Sequence, residues 1–263
     1  MEFFETYAAQ FVQFLLVFAR VMGTFSSAPV FGSKIVPVYA RVNLAILLSL
    51  FALPMASLPS GQAPSSLLML GWWVLIELIY GLTAGYVAAL FFDSTLMAGQ
   101  LIDMQIGFGI VNVFDPQFGQ QVPLIGNFKY LIALSVFLAL QGHHIIIGAM
   151  IDNFRTVPLG IQLHLADATG FLVDAVLNLF VMALRIALPV LGTILMTDVA
   201  LGILARVMPQ MNVFVVGITG KLIVGIFMLF LILPFYIAFL EVGFEGIYRD
   251  FASILLIVGK GIQ

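Results

Sequence analysis

Three formally charged residues, Glu77, Arg185 and Lys221, lie in or beside long apolar stretches. A charge at the centre of a membrane helix costs about 2.5–3.5 kcal/mol on insertion scales, so such a group usually faces an interior or a partner. Groups of this kind can relay protons or line a substrate path. They can also form structural ion pairs, with Glu77 and Arg185 as the candidate pair, or contact another subunit. One acid and two bases are too few for a relay chain, and the structural role is the expected one. His143 and His144 are adjacent and so point to different sides of a helix. They lack the His-x-x-x-His spacing of a zinc helix. His164 is isolated, and a helix-end or interface role is expected for all three. Gln100 and Asp103 are spaced to share one helix face. No Gly-x-Ser-x-Gly, Walker loop or Gly-x-Gly-x-x-Gly occurs, and Gly107-Phe108-Gly109 lacks the later glycine and a preceding strand. No carboxylate pair or nucleophile with a base stands at a catalytic spacing. We assign no catalytic, cofactor-binding or metal-ligating residue and expect no enzyme. Met196, Met208 and Met211 read as ordinary packing.

The elements that carry these residues must be read from the composition. The chain has 263 residues, 62% of them apolar and only 9% charged, with no cysteine. Its mean hydropathy is +1.16. A soluble domain is typically about 25% charged, so this chain cannot coat a water-facing surface of its size. That excludes an ordinary soluble enzyme, a disordered chain, a nucleic-acid binder and a disulfide scaffold. The net charge of −3, from 13 acids and 10 bases, contains no basic block.

Spanning helices need about 20 mainly apolar residues. Thr6 to Ala19 is apolar and ends at Arg20. Val42 to Ile76 carries no formal charge and is cut by Pro54, Pro59, Gly61 and Pro64, so it reads as two helices with a turn between them. The second continues past Glu77 to Phe92. Further stretches run from Tyr130 to Ile151, Phe171 to Thr197 and Leu222 to Leu240. About six long hydrophobic helices are predicted, some broken, in an all-α, multi-helix integral membrane protein forming a single helical domain over 1–263. The apolar runs lack the alternation of a membrane barrel. Glu2 and Glu5 argue against a cleavable signal peptide at the N-terminus. Arg20, Lys34 and Arg41 form the base-rich, acid-free connection and would lie in the cytoplasm, although broken spans leave the topology open. Arg20-Val21-Met22 recurs as Arg206-Val207-Met208 without a wider repeat.

The stretch from Phe92 to Phe128 fits a simple bundle poorly. Gly107, Gly109, Phe114, Pro116, Phe118 and Gly119 are poor helix chemistry, yet the segment remains apolar. Irregular backbone at membrane depth survives only when buried in protein or lining a cavity. The segment is either an interfacial connector folded on its own helices, which composition alone slightly favours, or a loop that closes a pore by steric block and dewetting.

Several segments together resemble the FliR family of flagellar export proteins. The stretch from Arg20 through Pro29 and Pro37 to Arg41 is similar to that family's N-terminal signature. Gly99 through Gly107, Asp115-Pro116 and Pro123 resemble its central loop, and Gly202 to Phe214 its penultimate connection. The order and spacing carry the signal, and the match covers most of the chain. The resemblance implies a core subunit of the type III export gate, multi-pass in the bacterial inner (cytoplasmic) membrane at the flagellar basal body. One copy would join several FliP-type and FliQ-type subunits in a conical channel of broken, tilted helical hairpins. FlhB-type and FlhA-type proteins would associate with it, and unfolded export substrates would pass through. It also implies a central apolar plug loop falling on Ile106, Gly107, Phe108, Gly109, Ile110, Val111, Phe114, Pro116 and Phe118. Lipid is an expected contact, and neither a cofactor nor nucleic acid is. The alternatives are a stand-alone transporter or channel for a small solute, an intramembrane enzyme, and the homologous subunit of a virulence secretion system.

Overall fold

The structure, a computed structural model, describes residues 2–33, 36–58, 64, 66–108, 123–160, 165–210 and 212–260. Among them it contains seven α-helices and no strand. They are α1 (Glu2–Ser27), α2 (Val38–Ala52), α3 (Leu67–Ile106), α4 (Leu124–Ala139), α5 (Gly142–Thr156), α6 (Leu165–Val207) and α7 (Val213–Lys260). Five are long and apolar enough to cross a membrane, or up to six if the pair α4 and α5, bent by 64°, counts as one span.

Three boundaries differ from the sequence reading. Arg20 lies inside α1 rather than at its end. It therefore contributes nothing to orientation as a loop charge, and Lys34 lies outside the described residues. The helix containing Glu77 runs on to Ile106, carrying Asp93, Gln100 and Asp103 in regular helix. Tyr130 to Ile151 is not one helix, because Gln141 adopts a left-handed backbone with φ 55° between α4 and α5. Gly142 stands next to that corner and opens α5, but the left-handed position itself is taken by Gln141.

The chain divides into two compact units. The first comprises residues 1–90, 138–176 and 244–263; the second comprises 91–137 and 177–243. In the first, Leu16, Val17, Val21, Phe25 and Phe31 pack with Trp73, Met150 and Phe154 in one buried cluster. Phe25 stacks on Phe31 with ring centroids 4.4 Å apart. Here α1 meets α3 through small residues. A Cβ at Gly81 would strike the Arg20 carbonyl, one at Gly23 the Leu78 carbonyl, and one at Gly85 the Thr24 carbonyl. Between membrane helices, where water expulsion gives no drive, such close backbone approach is a main source of attraction.

The second unit has a parallel device. A Cβ at Gly99 on α3 would collide with the backbone of Gly126 on α4. Phe92 meets Phe137 edge-on at 5.3 Å and Tyr130 at 6.0 Å. Ile102, Ile106, Ile186, Val190, Ile194 and Tyr236 are buried in the same unit.

Candidate functional site

The close crossing of α1 and α3 places Arg20 against Glu77, both fully buried. Arg20 Nε donates to Glu77 Oε2 at 2.6 Å and Nη2 donates to Oε1 at 3.1 Å. Nη1 donates to Asn153 Oδ1 at 2.9 Å and to the Val157 carbonyl at 3.2 Å. Nη2 also donates to the Pro158 carbonyl at 3.1 Å. All the N–H donors of the guanidinium are thus used. Glu77 Oε1 accepts from the Gly160 amide at 2.8 Å. Asn153 donates to the Tyr80 hydroxyl at 2.8 Å, and that hydroxyl donates to the Leu255 carbonyl. The rings of Tyr80 and Phe154 face the guanidinium at 4.5 and 4.9 Å. Gly160 has φ +71°, and a Cβ there would enter the Trp73 ring, so the residue has to be glycine.

This network corrects one expectation. Glu77 is paired with Arg20, not Arg185, because the glycine-lined crossing brings α1 onto α3; Arg185 is exposed on α6. The remaining intramembrane charge, Lys221, pairs with Asp198 at 2.5 Å, and Gln105 donates to Asp198 at 3.4 Å. His143 and His144 stand in the first turn of α5, while His164 lies outside the described residues. Among the described residues no group of three or more His, Cys, Asp or Glu side chains could hold a metal ion.

In the second unit, the two ends of the apolar loop meet at Asp103. The helix α3 ends at Ile106, which is buried, and Gly107 follows with φ 103°. The amides of Gly107 and Phe108 both donate to the Asp103 carbonyl, at 3.2 and 3.0 Å. On the far side of the loop, the Ile125 amide donates to the Asp103 carboxylate at 3.1 and 3.2 Å, and the Gly126 amide at 3.3 Å. Asp103 therefore caps α4 from a distance. Its negative charge sits at a helix N-terminus, where unpaired amides and the helix dipole favour it. The Gly99–Gly126 approach makes that reach possible. Phe108, Leu124, Ile125, Phe128 and Ile226 line an apolar cleft of about 270 Å³ beside these ends. Of the sequence-predicted loop residues, Ile106, Gly107 and Phe108 lie at this root. Gly109, Ile110, Val111, Phe114, Pro116 and Phe118 lie outside the described residues.

Sequence reasoning missed Arg20, Asn153 and Tyr80 as one network, and it missed the capping role of Asp103. The available signal for Arg20 was its apolar flank on both sides together with Gly23, Gly81 and Gly85. Asp103 gave no local signal, since its partner amides lie beyond the loop. A third feature also went unread. Lys129 is buried, its ammonium makes no hydrogen bond, and it lies 4.4 Å from the centroid of the Tyr236 ring.

Comparison with known proteins adds a family and relatives. The model of bacterial export proteins, family 1, matches residues 11–247. Flagellar biosynthetic protein FliR of Bacillus subtilis (strain 168) is 32% identical over 252 residues, covering 95% of this chain and 96% of the relative. FliR of Pectobacterium carotovorum subsp. carotovorum is 32% identical, covering 92% of each chain. FliR of Escherichia coli (strain K12) is 29% identical, covering 90% of each.

Proposed function

We propose that this chain, which belongs to the FliR family of bacterial export proteins, is a core subunit of the flagellar type III export gate. The family is one of export-apparatus membrane components and not of enzymes. In this reading the chain assembles with FliP-type and FliQ-type subunits in the bacterial inner membrane. FlhB-type and FlhA-type proteins associate with that assembly, which forms the channel for unfolded substrates. The segment 106–118 closes the channel at rest.

The observation that carries the reading is Asp103. A single buried residue holds both ends of an apolar, glycine-rich segment through its backbone carbonyl and its carboxylate. Fixed ends let the segment change place without unfolding the helices that carry it. Helix length supports a conduit. At 1.5 Å per residue, helices of 40, 43 and 48 residues run about 60–72 Å, against a hydrocarbon core of about 30 Å. Walls of that length suit an assembly extending beyond one bilayer thickness. Surface exposure points the same way. Within the Val215–Val258 span, an 18-residue apolar stretch is only 11% buried within this chain, so that stretch needs lipid or other subunits to cover it.

The test is deletion of residues 110–118, leaving both roots intact, in the full chain expressed with its native partners. Normal yield of the assembled complex with a raised passive ion leak is the expected result. A tight membrane after normal assembly would overturn the plug role.

A further inference from the structure

Asp103 ties the root of segment 106–118 to α4. The same root also meets α6 and α7, within the second unit. A Cβ added at Gly225 on α7 would enter the Ile106 side chain and come within 3.8 Å of Ile194 Cδ1 on α6. Ile106 and Ile194 are both buried. Phe108 and Ile226 line one cleft just beyond. One helical turn from this apolar seat stand Asp198, on the Ile194 face of α6, and Lys221, on the Gly225 face of α7. Asp198 divides its two carboxylate oxygens. Oδ1 meets the Lys221 ammonium at 2.5 Å, and Oδ2 accepts from Gln105 Nε2 at 3.4 Å. Gln105 immediately precedes Ile106 at the end of α3. Charges within apolar spans are costly and pair with one another. A pair that only neutralised two such charges would need no third helix, yet this one reaches α3 at the residue before the loop root.

We propose that Asp198 is a positioning residue for the pore loop. It fastens α3 at Gln105 to α6 and α7, so that the root of segment 106–118 stays where Ile106 meets Gly225. The two levels of this clamp do different work. Apolar packing at Gly225 lets α3 and α7 come close, but it is non-directional and leaves α3 free to slide or turn. The hydrogen bond to Gln105 is directional and fixes which residue of α3 faces the ion pair. That bond is long, and the side chains of Lys221 and Asp198 are 25% and 34% exposed, so it is weak enough to break without unfolding a helix. A shift of α6 or α7 is thereby carried to the loop root. The inference rests on the gate reading for what the segment does, and on these contacts for the clamp itself.

The experiment uses the full chain with its native partners. The chain has no cysteine, so Phe108→Cys and Ile226→Cys make a unique pair within it. A short bifunctional thiol reagent links the two, and the linked peptides are counted per assembled complex. Asp198→Ala and Gln105→Leu should each lower that yield about threefold or more, the scale of a partly exposed polar contact. Asp198→Asn keeps an oxygen for Lys221 and a polar partner for Gln105, and should fall between Asp198→Ala and the wild-type residue. If Asp198→Ala does not assemble, Gln105→Leu leaves the ion pair whole and carries the test. Wild-type crosslinking in Gln105→Leu, or in assembled Asp198→Ala, would overturn the clamp and leave Asp198 and Lys221 as a structural pair. Crosslinking decides the clamp, and the leak of the 110–118 deletion decides closure, so the two readings fail separately.

Discussion

Arg20 grips Glu77 through two nitrogens, at 2.6 and 3.1 Å, with neither side chain reaching solvent. The pair ties α1 to α3, and its remaining bonds reach α5 and the turn after it. Breaking a buried pair by removing one partner costs about 3–5 kcal/mol, because the other charge stays buried and unpaired. Glu77→Leu and Arg20→Leu should each sharply lower the yield of folded chain. Export per assembled complex should change less than yield. The double variant should recover part of the loss and not all of it, since Asn153, Val157, Pro158 and Gly160 keep polar groups without their partner. A double-mutant cycle on thermal melting in detergent measures the coupling. Wild-type yield with lost export in Glu77→Leu would point instead to a role in transport.

Close helix crossing makes a second prediction with an internal control. Gly81→Ala puts a Cβ into the Arg20 backbone, whereas Gly71, on the same helix, has nothing within 4 Å of an added Cβ. Overpacking of this kind costs about 1–3 kcal/mol, and a relaxed glycine-to-alanine change in a helix gains about 0.5–1 kcal/mol. Melting temperature should fall for Gly81→Ala and hold or rise for Gly71→Ala. Equal behaviour of the two would contradict a backbone-close crossing.

Asp103 separates stability from closure. Asp103→Ala removes the cap of α4, a loss of about 0.5–2 kcal/mol. Asp103→Asn keeps an acceptor and loses the charge. The complex should still assemble, with ion leak ordered wild type, Asn, Ala from least to most. A conductance assay on vesicles of matched complex content reads that order. Identical leak in all three would mean that the loop is held elsewhere.

Lys129 carries a buried ammonium whose contact is the Tyr236 ring. Replacing a poorly compensated buried charge by an apolar side chain of similar volume is often neutral or stabilising. Lys129→Met should therefore melt at or above the wild-type temperature as an isolated chain in detergent. A marked fall would show that the ammonium is better satisfied than its geometry indicates.

The helical class and the positions of the apolar elements were legible because long uncharged runs leave the backbone few alternatives in lipid. Glu77 stood out as a charge needing a buried partner for the same reason. Its partner was not, since pairing depends on which helices touch, and that was decided by Gly23, Gly81 and Gly85 rather than by charge. The corner at Gln141 was hidden because a non-glycine residue takes the left-handed backbone there. Asp103 read as one face of a helix with Gln100, yet it acts on amides across the loop. The family resemblance pointed to the loop, but local pattern gave no sign of how its described ends are tied.

The most direct measurement is the native mass of the tagged chain drawn from its own membrane in mild detergent. One copy held with several copies of two other small hydrophobic subunits is the predicted result. A monomer or homo-oligomer that persists in the gentlest detergent would contradict a place for this chain in a shared export gate.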